Sequence, residues 1–423
     1  MPDVTVQFDT KNSFIAETAE IENNFKAGFI SNNGLVCALG ITTEREQGYM
    51  VVQGVQNWYA KLSGTYPINP AYPIDGNSAE GNWPRGASAG WADGWHAVNT
   101  YLQYGGMVCI AGTGSNINTI SPKETLKSPD LEFGAIFGAT AENNTDLTEI
   151  ATERGDCVAI CALAVTGDIG TDITKVDAPL GTSGDKYTFY VAGSKYHLKD
   201  NALIASSQDI NNLQLTPLTA DVAGCFARTN STAQPWSSPA GFSRGRILSV
   251  VRLQQPLTKS SADTLYANNI NPIKTFPGEG SFLFGDKTRR QPSENENFAH
   301  VNVTNLVVYL RKVLSSIANK YLFELNDESN RNSFINRSTP ILRSVLNSGG
   351  ITEFKIVCDT TNNPPSVVDN QQFVADLYIK ETQTIQEIQI RFTNVLANES
   401  VLGSINGSSL TDPARSGYDT GPL

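Results

Sequence analysis

Leu306, Leu310, Val313, Leu314, Ile317 and Tyr321 recur at three- and four-residue steps, which places them on one face of a helix. Thr304 is the residue expected to cap its start. Phe334, Ile335, Leu342, Val345 and Leu346 mark a second helix, closed by Gly349-Gly350. The period then changes to two. Phe373, Ala375, Leu377 and Ile379 alternate, as do Ile388, Ile390 and Phe392, so strands are predicted at 351–358, 373–379 and 385–392. Asn363-Pro364-Pro365 breaks the first connection.

Upstream, 97–104 reads as a helix ending at Gly105-Gly106 and followed by a strand at 107–111. A helix at 146–152 precedes an apolar run at 157–165 that reads as a buried strand, and another strand falls at 187–191. Helices alternating with apolar strands predict an α/β protein whose parallel or mixed sheet carries helices on its faces. The stretch 66–94, with Pro67, Pro70, Pro73 and Pro84, reads as a long loop. The first 25 residues are polar with weak alternation at Val4, Val6 and Phe8, as an extended arm would be. Periodicity is lost again after Thr393, although Val395, Leu396, Val401, Leu402 and Ile405 are apolar without an obvious role in a free tail. The expected organisation is an arm at 1–25, a core domain at 26–295, a small α/β domain at 296–393 and a second arm at 394–423.

Of 423 residues 40% are hydrophobic and only 17% charged, which argues against a charge-solvated disordered chain and suggests surface that ends against other protein. The net charge of −11 argues against binding nucleic acid through its phosphates. No apolar run approaches membrane-spanning length, and Met1-Pro2-Asp3 does not open a signal peptide, so a soluble protein made in a cytosol is expected. Against this acidic background, 300–347 holds Arg311, Lys312, Lys320, Arg331, Arg337 and Arg343 but only Glu324, Asp327 and Glu328. A locally basic helical pair is where an acidic partner would be met.

Candidate chemistry is sparse. Gly86-Ala-Ser88-Ala-Gly90 has the spacing of a nucleophile elbow but lacks the strand before it. Gly112-Thr-Gly114 follows a strand as a dinucleotide-binding turn does, but Ile117 stands where the third glycine belongs. Asp75-Gly-Asn77-Ser-Ala-Glu80 starts like a calcium loop, yet Glu80 occupies the glycine position. Lys287, Arg289 and Arg290 cluster without interleaved aromatics to stack bases. Cys37, Cys109, Cys157, Cys161, Cys225 and Cys358 sit mostly among apolar neighbours as buried reduced thiols would, and His96, His197 and His300 form no ligand pair. No catalytic, cofactor or metal site is expected.

Six segments taken in order resemble contractile tail sheath proteins of phages and related injection machines. They are Ala97 to Cys109 with its double glycine, Glu153-Arg154-Gly155-Asp156-Cys157, and Val222-Ala223-Gly224-Cys225-Phe226-Ala227-Arg228-Thr229-Asn230 with Pro235-Trp236 and Pro239-Ala240-Gly241. Asn269-Ile270-Asn271-Pro272-Ile273 with Phe284-Gly285-Asp286-Lys287-Thr288 follows, then Val301-Asn302-Val303 with Tyr309-Leu310-Arg311, and Phe323-Glu324-Leu325-Asn326. The family's early Pro-Gly-Val-Tyr signature is not evident. The resemblance implies a mixed-sheet core, subtilisin-like in topology but non-catalytic, with a small carboxy-terminal α/β domain and extended arms at both ends.

It implies a structural subunit without enzymatic activity or cofactor, polymerised helically around a tail tube and contracting to drive the tube through an envelope. The implied partners are other copies of the chain, the tail tube protein, and the baseplate and tail terminator at the two ends, with no nucleic acid and no membrane insertion. The implied location is the virion, after assembly in the host cytoplasm. On this resemblance Val4, Val6, Phe8, Val395, Leu396, Val401, Leu402 and Ile405 would be inter-subunit arm residues, and the six basic residues of 300–347 would face the tube. The sheath of a phage-derived injection particle and, less compatible with these residues, an α/β enzyme are the competing expectations.

Overall fold

The apolar strands of the core are buried on both faces, and their side chains alternate between two cores. Val158 and Ile160 join one cluster while Ala159, Cys161 and Leu163 join the other. Val108 and Ile110 oppose Cys109 and Ala111 in the same way, as Phe189 and Val191 oppose Tyr190 and Ala192. Strands enclosed on both sides read as continuous hydrophobic runs, and parallel pairing is the usual result. The computed structural model describes residues 26–31, 49–53, 89–112, 122–128, 131–176, 185–198, 213–290, 296–382 and 384. The elements below lie within the unit Met1–Gln383.

The strands are β1 (Lys26–Ser31), β2 (Tyr49–Gln53), β3 (Met107–Gly112), β4 (Ala135–Gly138), β5 (Val158–Leu163), β6 (Thr188–Ala192), β7 (Ser194–Leu198), β8 (Leu213–Pro217), β9 (Arg252–Leu253), β10 (Ile270–Asn271), β11 (Ile273–Phe276), β12 (Gly280–Leu283), β13 (Ile351–Val357) and β14 (Asp376–Glu381). Seven of them form the main sheet in the order β10-β6-β5-β4-β1-β3-β2. All neighbours in it run parallel except β2, which is antiparallel to β3 at the edge.

Helices cover both faces. α1 (Ala89–Leu102) and α5 (Thr219–Thr232) bury Val98, Tyr101, Val222 and Phe226 on one. α2 (Pro122–Lys127), α3 (Asn144–Arg154) and α6 (Lys259–Ala267) bury Leu126, Leu147, Ile150 and Leu265 on the other. A short α4 (Ile169–Ile173) follows β5. The remaining helices, α7 (Val301–Asn319), α8 (Glu328–Asn347) and α9 (Pro365–Asp369), accompany the antiparallel pair β13–β14.

Several expectations shift. α1 begins eight residues before 97, inside the predicted loop. Gly90 and Gly94 disguise it, but Gly94 is buried, and burial of the helix face outweighs roughly 1 kcal/mol of glycine propensity cost. α7 starts at Val301 with His300 at its N-cap; Thr304 lies inside the helix, where its hydroxyl donates to the Lys186 carbonyl at 2.9 Å. The strand expected at 373–379 is β14, displaced to Asp376–Glu381. The strand expected at 385–392, both arms and 66–88 of the loop lie outside the described residues.

Candidate assembly surfaces

The polar residues of the quoted segments are used inside the molecule. Asp221 at the start of α5 accepts from Lys195 Nζ of β7 at 2.7 Å and from the Tyr104 hydroxyl at 2.8 Å. Lys195 also donates to the Leu248 carbonyl at 2.8 Å, and the Leu248 N–H donates to Tyr104 Oη at 2.8 Å. Lys195 and Asp221 are fully buried. Burial pushes the Asp221 carboxyl up, against the pull of the Lys195 ammonium and the hydrogen bonds. One turn later Gly224 lets this region close: a Cβ there would stand 2.3 Å from Tyr104 Cγ. Arg228 then donates to the Arg246 carbonyl at 2.7 Å and stacks 5.2 Å from the Tyr104 ring.

Asn271 is a second knot. Its Nδ2 donates to the Tyr190 and Lys287 carbonyls at 2.9 and 2.8 Å, and its Oδ1 accepts from the Lys287 N–H at 2.8 Å. Gly285 beside it has no room for a Cβ, which would lie 2.7 Å from Asn271 Oδ1. Lys287 donates to the Tyr266 carbonyl at 3.1 Å and lies 4.2 Å from that ring, and Arg289 reaches the Asn268 carbonyl at 3.3 Å. Arg290 is buried. The basic cluster of 287–290 therefore serves the fold.

Enzymatic candidates gain nothing from the structure. Ser88 and Thr113-Gly114 lie outside the described residues, and β3 ends at Gly112. Cys109, Cys157, Cys161, Cys225 and Cys358 are free and buried. Burial pushes the thiols of Cys109, Cys157, Cys225 and Cys358 up to about 12, far from thiolate chemistry at neutral pH. Among the described residues no cluster of His, Cys, Asp and Glu could hold a metal ion, and no helix is long and apolar enough to cross a membrane.

The helices α7 and α8 with the pair β13–β14 present surface instead. Leu306, Leu310 and Leu314 of α7 meet Leu342 and Val345 of α8 and the inner residues of β13–β14. Trp236, after α5, ties this cluster to the core: its ring is 5.4 Å from Tyr309, and a Cβ on Gly350 would lie 2.8 Å from it. Among the described residues β13 and β14 pair only with each other, leaving both outer edges open. An open edge is a template for another strand.

The six basic candidates do not form one patch. Arg311 donates to the Gly155 carbonyl at 3.1 Å, and Lys312 to the Phe133 carbonyl at 2.7 Å. Burial pulls the Lys312 ammonium below its usual range. Both turn toward the core because 311 and 312 lie on the α7 flank that meets it. Arg331 is buried and donates to Asn326 Oδ1 at 2.8 Å. Lys320, Arg337 and Arg343 are exposed, with Arg337 5.6 Å from the Tyr321 ring. Val4, Val6, Phe8, Val395, Leu396, Val401, Leu402 and Ile405 are outside the described residues.

A mostly parallel sheet with helices on both faces, accompanied by the antiparallel pair β13–β14, makes this an α/β protein. The profile of the phage tail sheath protein central domain matches residues 133–289, and that of the phage tail sheath C-terminal domain matches 293–393. The chain is 35% identical to the tail sheath protein of Enterobacteria phage T4 over 323 residues, 74% of this chain and 48% of that protein. It is 44% identical to the tail sheath protein of Vibrio phage KVP40 over 176 residues, 42% of this chain and 26% of that one. It thus spans half or less of the length of these curated relatives.

The fold matches the sheath complex of an extracellular contractile injection system (PVC) in its contracted state. The TM-score is 0.64 at 12% identity, over 94% of this chain and 98% of that one. It matches the contracted helical sheath of the anti-feeding prophage with a TM-score of 0.62 at 13% identity, over 93% and 99%. The chain belongs to the phage tail sheath protein family.

Proposed function

We propose that this chain is the subunit of a contractile tail sheath, polymerising helically around a tail tube and shortening to drive that tube through a cell envelope. Similarity to the T4 tail sheath protein along 74% of the chain carries this reading. The role is structural, with no catalysis and no cofactor. Its partners are other copies, the tube, the baseplate and the terminator, and its place is the virion after assembly in the host cytoplasm. The sheath of a phage-derived injection particle is the second reading, favoured by the near-complete mutual coverage with two such sheaths. Electron microscopy of the concentrated purified protein tests the role: hollow tubules are expected, and a monodisperse monomer across salt conditions overturns it.

The arms at 1–25 and 394–423 are proposed strand donors. Their alternating or apolar residues need a sheet to join, and β13–β14 offers edges that no other described strand pairs with. Deletion of 1–20 or 394–423 should leave circular dichroism and melting unchanged while abolishing tubules; normal tubules from either deletion would remove that arm from the scheme. The tube-facing proposal centres on Lys320, Arg337 and Arg343, which are exposed, rather than on Arg311 and Lys312, which bond into the core, and Arg331, which is buried. Reversing the charge of Arg337 and Arg343 should weaken sheath–tube co-assembly, and unchanged co-assembly would count against it.

A further inference from the structure

An antiparallel sheet with one face on the core ordinarily turns polar side chains outward. The hairpin β11–β12 does the opposite. Its neighbour is the segment 245–247, whose Ile247 N–H donates to the Ser281 carbonyl at 2.8 Å and whose Gly245 carbonyl accepts from the Leu283 N–H at 2.7 Å. Ile273 and Leu283 point into the core. The other face carries Phe276, Phe282 and Phe284, with Phe242 laid across them at centroid distances of 4.8, 4.9 and 6.1 Å. Phe242 is 53% exposed and Phe284 39%. Two cations flank the rings: Lys274 lies 5.3 Å from the Phe284 ring, and exposed Arg246 is paired across from Phe282.

The complementary feature is the turn between α7 and α8. Phe323 is 88% exposed and Leu325 76%, the two most exposed large apolar side chains among the described residues. Phe323 also has φ +69°, a conformation bulky residues rarely adopt. The turn is held from below. Asn326 Nδ2 donates to the Gln372 carbonyl at 2.6 Å, Asn330 Nδ2 to the Leu325 carbonyl at 2.7 Å, and Arg331 to Asn326. A projecting apolar group on a fixed turn loses little freedom on docking. Exposed Glu324 and Glu328 flank it, opposite in sign to Lys274 and Arg246.

We propose that the Phe323–Leu325 knob of one copy docks on the Phe242–Phe276–Phe284 face of a second copy. Both surfaces are apolar and exposed, so neither covers the other within one chain. The acidic residues beside the knob are opposite in charge to Arg246 and Lys274, the latter shared with Asp263 at 3.9 Å. Because the two surfaces differ, each copy offers a knob to one neighbour and a face to the next, a heterologous contact that repeats around a ring or along a filament. The proposal adds a side-chain contact to the sheath reading and rests on it only for the repeat of that contact along a lattice.

The test uses the full chain. Phe323→Ser and Phe242→Ser should each keep the wild-type melting curve yet raise the critical concentration for tubules by about tenfold or more, as loss of a buried aromatic anchor does. Glu324→Lys/Glu328→Lys and Lys274→Glu/Arg246→Glu should each weaken assembly alone and restore it when mixed. Independently of tubules, Phe323→Cys and Phe242→Cys in a Cys37→Ser background should give an oxidised dimer only when mixed. If wild-type tubules form, and the serine variants assemble like wild type with no mixed disulfide, the contact is overturned while the sheath reading stands. If the wild type forms no tubules, the sheath reading fails, and the mixed disulfide alone then decides the contact: its presence supports it and its absence overturns it.

Discussion

Two buried aspartates in this chain behave oppositely, and their surroundings say why. Asp172 has no exposed surface; burial pushes its carboxyl up, but the Lys175 ammonium at 2.8 Å and the Thr166 N–H at 2.6 Å outweigh it and hold the carboxyl below its ordinary range. A carboxyl depressed in the fold stabilises it above the unfolded value of about 4 and loses that contribution as pH falls through the folded one. Asp172→Asn should therefore cost about 1–3 kcal/mol near neutrality, in urea titrations whose gap from wild type closes below about pH 4. At Asp221 burial wins and the carboxyl is raised, despite Lys195. Lys195→Met removes the counter-ion and should cost about 3–5 kcal/mol at pH 7. The sign now reverses: a carboxyl whose folded value is raised disfavours folding as pH rises above the unfolded value of about 4, so this penalty should shrink toward pH 4. A penalty independent of pH would mean that Lys195 acts by packing alone. The Lys195–Asp221 pair was not legible beforehand, since the two are 26 residues apart and only the crossing of β7 and α5 joins them.

Helices and strands were legible where burial itself is periodic. α7 repeats its apolar residues over nineteen positions, and β5 is an unbroken apolar run enclosed by two cores. Short elements carry too few residues for a period: β9 and β10 have two each, and β11–β12 hides because its outward face is aromatic rather than polar. α5 shows a different failure. Val222 to Asn230 was recognisable as a family segment, yet Gly224 speaks against a helix on propensity. The glycine is there for Tyr104. Gly224→Ala would gain about 1 kcal/mol of helix propensity, but the new methyl would sit 2.3 Å from a buried ring, and overpacking costs about 1–3 kcal/mol. Sterics should win. A lowered melting temperature for Gly224→Ala is expected, and a raised one would show that Tyr104 can swing aside without breaking its bond to Asp221. The open edges of β13–β14 belong to this scale too: alternation revealed the strands, but only the pairing revealed that nothing described covers them.

A net charge of −11 on every subunit shapes what the whole molecule can do. Copies packed into a lattice bring like charges together, and that repulsion grows with each neighbour while the apolar and backbone contacts that hold the lattice stay short-ranged. Salt acts on the two differently. The screening length falls from about 30 Å at 0.01 M to about 8 Å at 0.15 M, which removes most repulsion between separated surfaces. It should leave the proposed strand pairing nearly untouched and the proposed Glu324/Glu328 to Lys274/Arg246 pairs only partly weakened. The critical concentration for self-assembly should therefore fall as salt rises over that range, by light scattering checked with microscopy. The charge-reversed variant Lys274→Glu/Arg246→Glu carries a net charge of about −15 by the same counting, four below wild type. It should show the steeper salt dependence, because it adds repulsion at the contact as well as across the lattice. Assembly that weakens with salt in the wild type would mean that complementary charge, rather than apolar burial and strand pairing, holds neighbouring copies together.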